Sequence, residues 1–260
     1  MDLRKAAHPA RRITPEEAAL MVRPGMVLDY GAVLAQPDVF DAALAARASD
    51  LSGITIRCCL STRPRAVLEA DPDAAVFHWV NQHFSGYDRR KHDAKQCFYM
   101  PVNLGEIPDY YRRFIDPVDI LVIKVRPVGK DGWFNFGPSN LWHRAIAERA
   151  KCIIVEESAA VPFCPGDRNG LHESEVDFII RGDDAPFPEL PNPDPTDVDR
   201  AVARHIMAEI GDGACLQVGI GGMPNAVCIL LLDSGVRDLG VSTEMLTDGM
   251  GALYRAGRLP

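Results

Sequence analysis

The residues that could do chemistry lie together near the carboxyl-terminal end of this 260-residue chain. Residues 214–219 (ACLQVG) form a short apolar run, Ile220-Gly221-Gly222-Met223-Pro224 follow as a tight loop, and residues 225–233 carry helical spacing. A second short apolar run, LGVS at 239–242, leads at once into Thr243 and Glu244. Strand, helix and strand of this length predict a parallel βαβ unit with a right-handed crossover. Parallel strands end on one edge of their sheet. The backbone N–H groups near Gly221 and Gly222 are therefore expected in the same crevice as the Glu244 carboxylate. The chemistry on offer is a carboxylate nucleophile or base beside amides that could hold an oxyanion or a thioester.

Neither half of that pair is specific alone. The glycine loop misses the dinucleotide fingerprint, because Pro224 stands where the third glycine belongs, and no Lys-Ser/Thr follows for a phosphate loop. It reads equally as a strand-to-helix turn whose glycines satisfy backbone geometry. Pro224 and Asn225 suit the start of a helix whose amides face an anionic group. A glutamate after a strand, in the first turn of a helix, is favoured by the helix dipole without any catalytic role.

The elements that must position these residues alternate along the whole chain. Apolar strands are expected at 26–30, 53–60, 75–80, 118–125, 152–156 and 176–180, with helical segments between several of them. That alternation marks an α/β fold with a largely parallel sheet. Gly129-Lys130-Asp131-Gly132 before Trp133 predicts a hairpin. Residues 182–197 hold five prolines and five acidic residues, a density that favours an extended linker. The expected division is a first domain over 1–185, a proline-rich linker over 186–195 and a second domain over 196–260. A faint internal repeat agrees with it. Thr14, a helix, Gly25 and MVLDYG recur as Thr196, a helix, Gly213 and ACLQVG, which predicts two related α/β domains in tandem.

Composition narrows the function classes. Hydrophobic content of 47% with 25% charged residues fits a soluble globular protein. A net charge of −8 without a long basic run argues against nucleic-acid binding, and Arg89-Arg90-Lys91, flanked by Asp88 and Asp93, reads as a solvated helix face. The longest wholly apolar run, 226–232, is far below the ~20 residues of a membrane span. Arg4, Lys5, Arg11 and Arg12 are followed by no apolar segment, so a secretory leader is not expected. Seven cysteines without a C-x-x-C pair point to a reduced, cytoplasmic setting and no zinc. His78, His83, His92 and His143 lack ligand spacing, so no metal is expected, and Met245, Leu246 and Met250 read as helix core.

The string Ser242-Thr243-Glu244-Met245-Leu246-Thr247-Asp248-Gly249-Met250, with Gln217-Val218-Gly219-Ile220-Gly221-Gly222-Met223-Pro224 ahead of it, resembles the acetyl-CoA hydrolase/transferase family. The resemblance is to its 4-hydroxybutyrate and butyrate:acetate CoA-transferase branch. It extends upstream through Leu104-Gly105-Glu106-Ile107-Pro108, Pro117-Val118-Asp119, Gly137-Pro138-Ser139 and His172-x-Ser174-Glu175-Val176-Asp177, covering about residues 14–260. Two departures stand out. Residues 157–164 replace the family's asparagine-rich loop, which leaves substrate choice open, and the family's chains continue past the glutamate with a glycine-rich element that is absent here.

The resemblance implies tandem open, mostly parallel sheets of CoA-transferase type, the second incomplete. It implies transfer of coenzyme A between an acyl-CoA and a small carboxylic acid of the acetate, butyrate or 4-hydroxybutyrate class. Glu244 would be the nucleophile, through a glutamyl-CoA thioester, with Gln217, Gly219, Gly221, Gly222 and Met223 at the substrate or CoA. Coenzyme A would be a substrate, and no cofactor is implied. An acyl-CoA hydrolase, or a non-catalytic fragment or subunit of a split transferase, remain as alternatives. The expected partners are a second copy of the chain or a complementary carboxyl-terminal half. The chain alone is expected to show little transferase activity and to expose a strand edge and apolar helix faces.

Overall fold

The apolar runs of the amino-terminal part are strands, paired in parallel. The structure is a computed structural model that describes residues 9–260. Arg4 and Lys5 of the amino-terminal basic group lie outside the described residues. Two compact units are present, one up to Pro188 and one from Glu189. In the first, the strands are β1 (Arg11–Arg12), β2 (Val27–Ala32), β3 (Ile54–Cys59), β4 (Phe77–Asn81), β5 (Cys97–Tyr99), β6 (Ile120–Val125), β7 (Trp133–Asn135), β8 (Cys152–Glu157), β9 (Gly170–His172) and β10 (Phe178–Arg181). Eight of them form one sheet in the order β1-β10-β8-β6-β2-β3-β4-β5, every neighbouring pair parallel.

Both faces of this sheet are covered, which is why its strands read as continuous apolar runs rather than alternating ones. Along β6, Leu121, Ile123 and Val125 pack into one core with Phe134, Phe136 and Ile146. Ile120 and Val122 pack into the other with Tyr30, Phe40, Phe77 and Trp79. The helices of this unit are short: α1 (Pro15–Ala19), α2 (Val39–Ala45), α3 (Ala66–Ala70), α4 (Gly86–Asp93), α5 (Ile107–Asp109), which runs into a π turn over Tyr110–Phe114, and α6 (His143–Ala147). Side-chain capping boxes start two of them, Thr14 with Glu17 and Ser85 with Asp88. Arg89 and Arg90 of the basic cluster are exposed on α4, and Lys91 pairs with Glu69 at 3.0 Å.

The turn expected at 129–132 forms, with Gly132 N–H donating to the Gly129 carbonyl at 3.1 Å and an antiparallel bridge from Arg126 to Asn135. The main partner of β7 is nevertheless β9, in register Trp133↔His172, which local turn chemistry gives no means of reading. The segment from His172 to Asp177 acts as a fastening. Glu175 accepts the His172 N–H at 2.9 Å and pairs with Arg144 at 2.8 Å, while Asp177 accepts the Ile153 N–H at 2.8 Å.

Charged side chains stand at the carboxyl edge where the strand order turns back, between β2 and β6. Lys124 and Glu156 are buried in otherwise apolar strands. Glu156 accepts the Asp38 and Phe40 N–H groups at 2.9 and 3.1 Å, and Asp38 pairs with Lys124, Arg63 and Arg65. Burial works to raise Asp38, but the bond from Lys124 and the charges of Arg65, Lys124 and Arg63 hold it below the usual carboxylate range. Deeper in β2, fully buried Asp29 accepts from the Tyr111 hydroxyl and from Gly31 N–H at 2.7 Å. Burial pushes Asp29 up to about 7 despite those bonds and the charge of Arg57.

The second unit contains α7 (Asp197–Met207), β11 (Cys215–Leu216), α8 (Gly222–Asp233), β12 (Gly240–Val241) and α9 (Asp248–Arg255). Its core gathers Ala203 from α7, Ala226, Val227, Cys228 and Leu231 from α8, Leu239, and Met250 and Leu253 from α9. β11 and β12 pair in parallel, as the strand–helix–strand pattern requires.

Two outcomes follow for the first unit. Gly31 has φ +65°, and a Cβ there would stand 2.6 Å from the His143 ring, whose Nε2 accepts the Ala32 N–H at 3.0 Å. Gly31→Ala combines a strained backbone with overpacking and is expected to destabilise the unit by about 2–4 kcal/mol in urea unfolding. For Asp29, a folded pKa above the unfolded value means stability that is full below about pH 4 and is lost as pH rises through about 7. The loss is on the order of 4 kcal/mol at most. Asp29→Asn is therefore expected to lose less stability than the unsubstituted protein between pH 5 and pH 8. Parallel stability curves for the two proteins would rule this out.

Candidate active site

The carboxyl edge of the β11–β12 pair brings the glycine loop and Glu244 together. The register is Cys215↔Gly240 and Leu216↔Val241, with Ser242 N–H donating to the Leu216 carbonyl at 3.0 Å. The ladder is shorter than the apolar runs 214–219 and 239–242. Beyond Leu216 a side chain takes over, for the Thr243 hydroxyl lies 3.2 Å from the carbonyls of both Val218 and Met245. That hydroxyl ties the segment around Glu244 to the end of the glycine-loop strand. It also curls the chain, so Glu244 sits in an exposed bend and not in the first turn of a helix, since α9 begins only at Asp248 after its N-cap Thr247.

Helix α8 begins inside the glycine loop. Its N-cap is Gly221, at φ 121° and ψ 174°, a conformation essentially closed to residues with a Cβ. No side chain caps this end. Asn225 N–H already bonds to the Gly221 carbonyl at 3.1 Å, and Pro224 has no N–H to offer. The amides left without an intrahelical acceptor in the first turn are those of Gly222 and Met223. They form the positive end of the helix dipole, where an anionic or polarised oxygen is favoured.

A cavity of about 460 Å³ opens beside this turn, lined by residues 189–192, Gly219, Ile220, Gly221, Asn225 and residues 245–248. Gly219 and Gly221 thus face the cavity. Gln217 is exposed, Gly222 backs onto Asp199, Met223 packs toward the unit's core, and none of these three nor Glu244 is among the lining residues. Met245 and Leu246 belong to the cavity wall and not to a helix core. They are 44% and 80% exposed, whereas Met250, inside α9, is 1% exposed. The bend at Glu244 explains the difference, because it delays the helix until Asp248. Leu190, Pro191 and Asn192 also line the cavity. Sequence pattern marks them only as part of a proline-rich tract, and nothing local signals that the tract folds back on its own unit.

Among the described residues no group of three or more His, Cys, Asp or Glu side chains could hold a metal ion, and no helix is long and apolar enough to cross a membrane. The Glu106 side chain is exposed at the end of a short 3-10 turn of the first unit, Leu104–Glu106. Glu156 is fully buried, and burial raises its pKa against the amides it accepts from and the charge of Lys124.

Comparison with known proteins places the chain in a family. Residues 2–191 match the model described as the acetyl-CoA hydrolase/transferase N-terminal domain. A butyryl-CoA:acetate CoA-transferase of Anaerostipes caccae is 40% identical over 95% of this chain and 56% of its own length. A probable butyrate:acetyl-CoA coenzyme A-transferase of Syntrophomonas wolfei is 36% identical over 96% of this chain and 56% of its own. The crystal structure of RipA from Yersinia pestis superposes with a TM-score of 0.84 at 27% identity, covering 96% of this chain and 59% of that one. The chain spans about 56% of the length of the two curated relatives.

The conformation of Gly221 makes a direct test of the loop. Gly221→Ala leaves the nearest atom, Pro224 Cδ, at 3.9 Å, so any effect comes from backbone strain and not from a clash. A cost of about 1–3 kcal/mol is expected. It should appear as faster amide hydrogen exchange in the first turns of α8, with exchange in the first unit's sheet unchanged. Unaltered protection in α8 would show that the loop relaxes without cost.

Proposed function

This chain belongs to the acetyl-CoA hydrolase/transferase family, and we propose that it carries the nucleophile of a CoA-transferase acting between an acyl-CoA and a small carboxylic acid of the acetate or butyrate class. The observation that carries the proposal is the Thr243 hydroxyl, which joins the Glu244 bend to Val218 at the mouth of the glycine loop. A carboxylate held there is exposed to an incoming thioester and stands on the same sheet edge as the free amides of Gly222 and Met223. Similarity to transferases named for butyryl-CoA and acetate supports the substrate class.

In this scheme a Glu244 oxygen attacks the thioester carbonyl, the C–S bond breaks, and an acyl-glutamyl anhydride forms with CoA thiolate. The thiolate then attacks the glutamyl carbonyl and expels the carboxylic acid as its carboxylate, which leaves a glutamyl-CoA thioester. An acceptor carboxylate runs the two steps in reverse, so the kinetics are ping-pong. Each attack builds negative charge on a carbonyl oxygen. Backbone donors are suited to stabilise it because they are fixed before the reaction begins, and loss of one such donor costs roughly 10²–10³ in rate. Gly219 and Gly221 shape the cavity wall, and Gln217, exposed near the end of β11, is available to the CoA side of the thioester. Coenzyme A is a substrate here, and no other cofactor is needed. A second copy of the chain, or a complementary segment such as the longer relatives carry, would supply the remaining contacts.

The test is covalent. The protein, assembled with any complementary segment it requires, is incubated with acetyl-CoA, trapped with borohydride or hydroxylamine, and mapped by mass spectrometry. Modification is expected at Glu244 alone, with Glu106, Glu156 and Glu175 unmodified. Glu244→Gln preserves size and most hydrogen bonding yet removes the anionic nucleophile, and activity should fall by orders of magnitude with folding intact. An adduct at another residue, or normal turnover by Glu244→Gln, would refute the assignment. CoA release that does not depend on added acetate would assign the same residue to hydrolysis.

A further inference from the structure

We infer that the cavity of the carboxyl-terminal unit selects thioesters by charge, accepting an uncharged acyl group and rejecting one that ends in a second carboxylate. The inference rests on the acyl-CoA reading given above and adds which acyl class the site admits. Met245 and Leu246 follow Glu244 directly, so the cavity they line lies next to the proposed acyl acceptor. Their side chains, with Leu190 and Ile220, form apolar walls that are between 44% and 80% exposed while the cavity is open. A short aliphatic acyl chain covers such surface and removes it from water, which is favourable without any polar partner.

The charges of the same cavity work in the opposite direction for an anion. Two lining residues, Glu189 and Asp248, bear carboxylates, and among the described residues no Lys, Arg or His lines the cavity. A terminal carboxylate on the acyl chain would lose water against apolar walls, with no cation to pair with and two like charges beside it. An acetyl or butyryl group meets neither cost. Leu190 and Glu189 come from the proline-rich tract, which makes that tract a wall of the selectivity site and not only a connection.

Binding isolates this from turnover. The chain, assembled with any complementary segment it requires and in a Glu244→Gln background that cannot react, is titrated calorimetrically with butyryl-CoA and with succinyl-CoA, then again after Glu189→Gln and Asp248→Asn. Butyryl-CoA is expected to bind about tenfold more tightly than succinyl-CoA. The double substitution should reduce that ratio to about threefold or less, mainly by improving succinyl-CoA. Glu189→Gln alone lies in an extended segment and should give part of the change, which keeps the result readable if the Asp248 variant disturbs the start of α9. Equal affinity for the two thioesters, or a ratio that the substitutions leave unchanged, overturns the charge-selection inference while leaving the transferase reading intact. Absence of binding to either thioester removes the transferase reading and this inference with it.

Discussion

Parallel pairing is the constraint on which the rest of this molecule depends. A parallel strand must return to the edge from which its neighbour started, so each pair needs a crossover, and all carboxyl ends collect on one side. In the carboxyl-terminal unit α8 is that crossover. It brings Ser242 back beside Leu216 and leaves the Gly221 turn and Glu244 with nowhere to go but the same edge. An antiparallel return would have put them at opposite ends. The Thr243 hydroxyl completes the placement by extending the association two residues beyond the ladder.

The same constraint in the first unit produces a different problem. A sheet buried on both faces has an apolar interior, yet its carboxyl edge at the β2–β6 reversal holds Lys124, Asp38, Glu156 and Arg65. Such groups are tolerated because each is paired or hydrogen-bonded, and removing one partner would strand a charge out of water at a cost of about 3–5 kcal/mol. Their structural return is the anchoring of α2, whose first amides are held by Glu156. Asp29 shifts in the same direction as Glu156 and opposite to Asp38. No cation touches it directly, so burial dominates and its carboxyl holds a proton far more readily than a solvated aspartate.

The strand ends of the first unit and the start of α8 spend polar groups differently. In the first, side-chain acceptors satisfy the backbone at the strand ends, as Glu156, Asp177 and Asp71 do for amides around them. In the second, the start of α8 carries no side-chain cap, and the first-turn donors of Gly222 and Met223 remain available. A helix end left open beside a cavity of about 460 Å³ is suited to a ligand oxygen in a way that a capped end is not. The apolar side chains around it stay uncovered for the same reason, since nothing in this unit packs over Leu246.

Much of this was legible in the residues themselves. Continuous apolar runs such as ILVIKV and CIIV locate the central parallel strands, because burial on both faces removes the alternation that would otherwise hide them. The spacing of the glycine loop, the helix and Glu244 was enough to predict which edge they share. Local pattern could not reach the features made by contacts distant in sequence. The pairing of β7 with β9 depends on a partner 35 to 39 residues away, and β1 and β5 are too short to show a period. Thr243 converts an expected helix start into a bend, which moves Met245 and Leu246 from core to cavity wall. Leu190 reaches that wall only because a tract with no periodicity of its own folds back on the second unit. Sequence determined the identity and order of the candidate site groups, since these follow from residue type and strand polarity. Tertiary structure alone decided which side chains surround them, because a cavity is defined by segments that meet in space and not by any one segment's pattern.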